Sequence, residues 1–422
     1  MSEATQTSGR MVTADGVPLK VSLEKALFRS RMRALALVLP LFLFLLVAFL
    51  LPIFDMLFRS VENEVVSEVL PKTVVALKAW NGDGEALPSE AAYTAIVSDM
   101  QKAFADKSLG RVGRRLNYER PGMSSLFRKS GRRVKRIKEG PYKEKLIKVD
   151  RKWGDINTWR LLKRESGTIT DSYFLAALDL KTGDKGEIVQ QAKTRRIYIP
   201  LFIRTLWMSG LITVCCVLLG YPVAYLLATL PTKSSNLLMI LVLLPFWTSL
   251  LVRTTAWIAL LQQEGVINDL LVTLGIISDD GRLALIYNKT GTFIAMTHIL
   301  LPFMILPLYS VMKTIPPSYM RAARSMGATP FTAFRRVYVP NTLSGVGAGC
   351  ILVFILSIGY YITPALVGGR TGTFISNFIA MHISQTLNWG LAAALGVLLL
   401  VLVLGLYMLY NKIVGIDNMK LG

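Results

Sequence analysis

The chain has 422 residues, 52% of them hydrophobic, with 48 Lys and Arg against 27 Asp and Glu and a net charge of +21. A soluble protein of this size must keep polar surface in water, so the composition argues against an ordinary soluble enzyme and makes lipid part of the solvent. In such a chain the distribution of charge carries more information than its sum, and +21 does not by itself mean nucleic acid.

Taken in order, residues 1–33 are an N-terminal tail carrying Lys20, Lys25, Arg29, Arg31 and Arg33. Residues 34–54 follow as an apolar run long enough to span, since roughly 20 apolar residues cross a hydrocarbon core of about 30 Å. The run is too long and too far from the start for a simple cleaved signal peptide. Five further spans are expected near 205–230, 237–261, 291–312, 344–361 and 391–410, within a core of 198–411, and residues 412–422 form a short tail. Basic residues concentrate in the tail, around Lys233, in the 313–340 loop (Lys313, Arg321, Arg324, Arg335, Arg336) and at Lys412. Six alternating spans put all of these on the cytoplasmic side, with both termini inside.

That threading leaves 55–197 outside as an inserted domain, with 29 Lys and Arg against 19 Asp and Glu. Domains of this length translocate largely regardless of charge. Within it, 61–79 and 88–106 have helical spacing, Asn81-Gly82-Asp83-Gly84 reads as a turn, and 155–180 suits either strands or a helix, so a mixed domain is expected. The run RKSGRRVKRIK at 128–138 is either a solvated or disordered face, or a surface for anionic lipid or an acidic soluble partner. The three cysteines fall in apolar spans and read as small core residues; His298 and His382 read as hydrogen-bonded interior or interfacial side chains, with no metal site.

The 313–340 loop reads as two short helices. Pro316-Pro317 ends the fourth span, Ser318 can cap a new helix, and Gly327 can stop it. Thr329-Pro330 starts a second helix that presents Phe331 and Phe334 on one face and ends near Pro340, while Ala322 and Ala323 give the first a small-residue face. This pattern, Ala322-Ala323, Gly327-Ala328, Phe334, Val339-Pro340 and Gly345, resembles the EAA loop of binding-protein-dependent ABC importer permeases. The resemblance covers about half the chain. Within the family, LLGYPVAYLLA, PFWTSLLVR, LLPFMILPLYS and ITPALVGG are most similar to the spermidine and putrescine permeases. It departs at Arg321, where the motif opens with Glu, and in the length of the first outer connection.

The resemblance implies an all-α type I importer core in the bacterial inner membrane. It implies a cytosolic ATPase dimer holding ATP and Mg, a second permease subunit, a periplasmic solute-binding protein, and surrounding lipid. The loop would be the coupling element, carried by Arg321, Ala322, Ala323, Gly327, Ala328, Phe331, Phe334 and Pro340. The chain itself has no phosphate-loop glycine motif and no catalytic constellation, so it is expected to bind no cofactor and not to be an enzyme alone. Polar and aromatic groups inside the spans are the candidates for the solute path: Tyr221, Tyr225, Trp247, Thr248, Arg253, Tyr360 and Tyr361. Aromatic faces suit a polyamine cation, although Trp and Tyr also collect at membrane interfaces, and Arg253 suits an acidic group instead. Amino-acid or opine-like solutes are the alternative cargo. A membrane-anchored receptor with a basic outer domain is the alternative class.

Overall fold

The computed structural model describes residues 19–414 apart from 83, 184 and 185, and it divides into two compact units, Met1–Phe58 and Arg59–Gly422. The first unit is a long apolar helix, α1 (Leu19–Leu45) continuing through a π turn (Leu46–Leu50) into α2 (Leu51–Arg59). Pro52 follows the π turn by two residues. A proline ring clashes with the carbonyl four residues back, and the wider turn relieves that clash without ending the helix.

In the second unit, the inserted segment begins with α3 (Val65–Val69), α4 (Pro71–Lys78), α5 (Glu90–Ala105), α6 (Leu109–Glu119), α7 (Met123–Val134) and α8 (Tyr142–Val149). It ends with α9 (Ile156–Arg164), α10 (Ser172–Ala177) and an antiparallel hairpin of β1 (Leu180–Thr182) and β2 (Ile188–Gln190). The expected helix over 61–79 is split at Leu70, whose φ of −123° and ψ of 54° are the restricted conformation imposed by Pro71. The ambiguous 155–180 stretch is helical, with the strands lying beyond it. Asp83 of the expected turn lies outside the described residues. The basic run begins as the helix α7.

The domain closes on itself. Asn63 donates its backbone N–H to Thr168 and Thr170 donates to Val61, so the incoming and outgoing segments pair beside a Glu62–Ile169 bridge. Its core is aromatic: Tyr93 and Trp159 have ring centroids 4.6 Å apart, and Trp153 lies 5.6 Å from both Trp159 and Phe127. Each polar handle is satisfied, with Trp153 donating to Ser130, and Trp159 and Tyr93 both donating to the Trp153 carbonyl.

The apolar remainder comprises α11 (Tyr198–Thr229), α12 (Thr232–Leu243), α13 (Leu250–Leu261), α14 (Val266–Thr273) and α15 (Lys289–Thr314). It continues as α16 (Pro317–Ser325), α17 (Pro330–Ala333), α18 (Val339–Gly359), α19 (Ile362–Val367), α20 (Ile375–Ser384) and α21 (Trp389–Val414). Among the described residues five helices are long and apolar enough to span a membrane, or six if a bent pair counts as one span. That pair is the correction to the expected straight third span: Thr232–Trp247 and Leu250–Thr273 meet at 97°. α11, α15 and α18 share a core that includes Ile212, Leu227, Leu300, Met304 and Val353.

The inserted domain and these helices form one compact unit, joined at Asp179. Its carboxylate accepts N–H groups from Ile197 and Tyr198 at 3.0 Å and from Ile199 at 2.9 Å, capping the N-terminus of α11. Tyr173 and Ala177 of α10 pack with Tyr198, Leu391 and Leu395. Asp179→Ala leaves three helix-start N–H donors without this acceptor, one of them buried, so it is expected to destabilise the purified protein by about 1–3 kcal/mol. Thermal unfolding followed by fluorescence checks this, with an unchanged midpoint as the contrary result.

Candidate functional site: the two-helix loop and the broken spans

α15 stops before Pro316-Pro317, and α16 starts with Pro317 at its first turn and Pro316, not Ser318, at the cap. The proline pair itself sets this start: Pro317 supplies helical φ and lacks an N–H that would need a partner. At the other end Ala328 donates to the Ala323 carbonyl and Gly327 to the Arg324 carbonyl, the two bonds of a Schellman stop, with Gly327 at φ +88°. Thr329 then accepts the Thr332 N–H at 3.2 Å and Pro330 opens α17. The second helix does not end near Pro340. It passes through a π turn (Phe334–Tyr338) directly into α18, so that 330–359 is one continuous helical element. The π turn again precedes proline by two residues, as at Pro52. Gly345, one turn further, lets α18 lie on α15: a Cβ there would sit 3.1 Å from the Pro307 carbonyl oxygen.

The two phenylalanines do not share a face. Phe331 points outward, 72% exposed, beside Met326 at 82% and Tyr319 at 50%, with Arg321, Arg324, Arg335 and Arg336 also exposed. Phe334 points inward, stacked on Tyr338 at 5.6 Å and edge-on to Tyr225 at 5.5 Å and Tyr221 at 6.3 Å. Tyr221 adds a 3.0 Å hydroxyl contact to Thr342. Ala322 and Ala323 likewise divide, the first exposed and the second buried, so the small-residue face is one alanine wide. Ala328 is half-buried and Pro340 exposed. The result is an apolar knob on a loop that also exposes four arginines, clamped by an aromatic cluster to α11 and α18.

Tyr221 and Tyr225 therefore pack against the loop. Trp247, Thr248, Arg253, Tyr360 and Tyr361 lie at two helix breaks. At the first, Trp247 is 73% exposed, Thr248 donates to the Pro245 carbonyl, and Ser249 caps α13 by accepting the Val252 N–H. At the second, α18 ends at Gly359 and α19 begins at Ile362. Ser376 donates to the Tyr360 carbonyl at 2.7 Å and Asn377 to the Tyr361 carbonyl at 2.6 Å, replacing the lost helical bonds. Arg253 is half-buried with an Nε that has no hydrogen-bond partner among the described residues. His298 accepts from Trp257 Nε1 at 3.1 Å, and Thr254 and Thr363 hydroxyls meet at 3.2 Å between α13 and α19. Spacing had shown His298 only as a lone histidine; its partner Trp257 follows Arg253 by one helical turn. His382 sits between the Tyr198 and Thr386 hydroxyls, each at 2.9 Å.

A family model described as "binding-protein-dependent transport system inner membrane component" matches residues 217–414. The spermidine/putrescine transport system permease protein PotB of Haemophilus influenzae is 34% identical over 228 residues, 53% of this chain and 79% of that protein. The chain belongs to the family of binding-protein-dependent ABC transporter permeases. PotB of Escherichia coli K12 is also 34% identical, over 50% of this chain and 76% of its own length. The E. coli inner membrane ABC transporter permease YdcU is 32% identical over 53% and 75%. A bacterial ABC transporter involved in importing the acidic polysaccharide alginate is 20% identical with a TM-score of 0.44, covering 55% of this chain and 81% of that one. The permease is thus a multi-pass inner-membrane, non-enzymatic component of its transport system, and ATP hydrolysis belongs to a separate subunit.

Proposed function

We infer that the permease moves a small amine-bearing solute of the polyamine type into the cytoplasm by ATP-driven alternating access. The observation that carries the reading is the clamped apolar knob at Met326 and Phe331 in a chain whose PotB relatives are named spermidine/putrescine permeases. The knob docks on a cytosolic ATPase dimer, which holds ATP and Mg, and its arginines meet an acidic rim there. A second permease subunit completes the path, and an extracytoplasmic binding protein delivers the solute. Both termini are cytoplasmic, the 55–197 domain is outside, and the spans are wrapped in lipid.

The two helix breaks line the solute path, since backbone can leave helical form at membrane depth only where it faces protein or water. Exposed Trp247 and Tyr361 offer ring faces to an ammonium group. A cation–π contact there is worth about 0.5–2 kcal/mol, so Trp247→Ala and Tyr361→Ala should each slow uptake of labelled spermidine about 2- to 30-fold in cells. ATPase co-purification should be unchanged. Wild-type rates in both variants would remove the breaks from the path.

One observation favours a second cargo, an amino-acid or opine-like solute. Residues 198–411 hold four acidic side chains, Glu264, Asp269, Asp279 and Asp280, all between α13 and α15, and none within the other spans. Outside that connection, residues 198–411 offer a bare polycation no carboxylate, whereas Arg253 offers a guanidinium with an unpartnered Nε. Arg253→Gln separates the two. Spermidine uptake that is unchanged or faster keeps the polyamine reading, and selective loss of uptake of a carboxylate-bearing solute favours the second.

A further inference from the structure

The inserted domain's excess charge is confined to one part of it. Residues 128–152 carry 12 Lys and Arg against 3 Asp and Glu, whereas the rest of 55–197 has 17 against 16 and is nearly neutral. The structure turns that run into a surface. One side of α7 is buried through Met123, Leu126, Phe127, Ser130 and Val134, and the other presents Arg128, Arg132 and Arg133, followed by Arg136 and Lys138. Of its neighbours, Lys129 pairs with Asp150 at 2.9 Å and Lys135 lies over the Phe104 ring. No ion pair engages the five outward cations among the described residues.

The placement of this surface bears on its partner. α6 and α7 run antiparallel, with Gly113 against Ser124 and Phe127 and Gly131 against Leu109. Tyr118, at the C-terminal end of α6, donates to the Thr386 carbonyl between α20 and α21. Arg132, Arg133 and Arg136 stand at the opposite end of the pair, beside Leu109. Nine residues of helix separate Leu109 from Tyr118, about 14 Å at ~1.5 Å per residue. That exceeds the ~10 Å over which a surface charge is felt in 0.1 M salt. The cations at that end are therefore separated along the helix pair from the Tyr118–Thr386 contact with the α20–α21 connection by more than that screening length.

We propose that this face is the docking surface for an acidic patch on the solute-binding protein of the same transport system. It rests on the reading that 55–197 lies outside. Four or five unpaired cations on one rigid face steer an acidic partner and raise its association rate, an effect that salt removes. A partner held through the domain is also held to α11 and α21, because the domain and those helices are one unit.

The test uses the full-length permease with its ATPase in nanodiscs, titrated with the binding protein at 50 and 300 mM NaCl. Arg128, Arg132, Arg133 and Arg136 are all exposed, so replacing the four together by Gln leaves the core intact. The expected result is affinity about 10-fold weaker than wild type at 50 mM, little remaining salt dependence, and an unchanged maximal ATPase rate at saturating binding protein. Wild-type affinity in the variant overturns the proposal. So does a difference seen only in nanodiscs containing anionic lipid, which assigns the face to the membrane. Ser125→Cys labelled from outside in intact cells by an impermeant maleimide, with unchanged binding, overturns this proposal alone. Resistance to the reagent puts the domain inside and overturns the functional reading with it.

Discussion

Met326→Asp combined with Phe331→Asp is expected to lower ATP-driven uptake about 100-fold or more while the permease still folds and inserts. Both side chains are largely exposed, so neither substitution removes a packing contact within the chain. Burying two such side chains in a partner's groove is worth about 1.5–3 kcal/mol each, and placing carboxylates there adds a desolvation cost. A loss of about 3–6 kcal/mol is two to four orders of magnitude in association. Phe334→Ala gives the complementary result. It leaves the knob on the surface but removes the ring that meets Tyr221, Tyr225 and Tyr338, so docking persists while transport per ATP falls. Uptake and ATPase co-purification measured together distinguish the two; equal effects of both variants on docking would show that the aromatic clamp has no separate role.

The second large effect is on stability and lies in the inserted domain. Arg115, 4% exposed, bonds Asn63 Oδ1 at 2.9 Å, Glu119 at 2.9 Å, Glu165 at 2.6 Å and Ser172 Oγ at 3.1 Å, and its guanidinium lies over the Tyr173 ring. One side chain thus ties the entry segment, α6, the end of α9 and α10. Burial pushes the Glu165 carboxyl up from its ordinary range, with Arg115 and Arg164 opposing that push and Glu119 adding to it. The pair is therefore a source of registry more than of net stability, but removing one partner leaves the other charged and dry. Arg115→Ala is expected to cost about 3–5 kcal/mol, enough to open the domain to limited proteolysis. Arg115→Ala combined with Glu165→Ala should cost less than Arg115→Ala alone. A double variant at least as labile as the single one would contradict this account of the pair.

Apolar run length made five of the six spans readable in the sequence, because crossing lipid demands continuous helix. It could not show the break in the third. Pro245 marks the place, but a proline can bend a helix slightly or end it, and the 97° turn goes with a contact between α13 and α19 that joins residues 109 apart in the chain. The loop's punctuation was legible at Gly327 and Thr329-Pro330, where a single residue type determines the backbone. Two consequences of Pro340 were not. The π turn is invisible to a 3.6-residue period, and so is the continuous run of helix from α17 into α18. The contacts of Tyr221 and Tyr225 with Phe334 and Thr342 were hidden as well, since those partners lie more than 100 residues away in the chain. In the inserted domain, helical spacing was visible, whereas the pairing of Asn63 with Glu165 and Arg115 depends on contacts between distant segments that no local pattern carries.

The most direct measurement is uptake of labelled spermidine into vesicles holding the permease and its partner subunits, with ATP supplied only on the side of the 313–340 loop and binding protein only on the side of the 55–197 domain. Accumulation is expected to require both and to be lost in Met326→Asp/Phe331→Asp. Accumulation that proceeds without ATP on the loop side, or survives that variant, would contradict it.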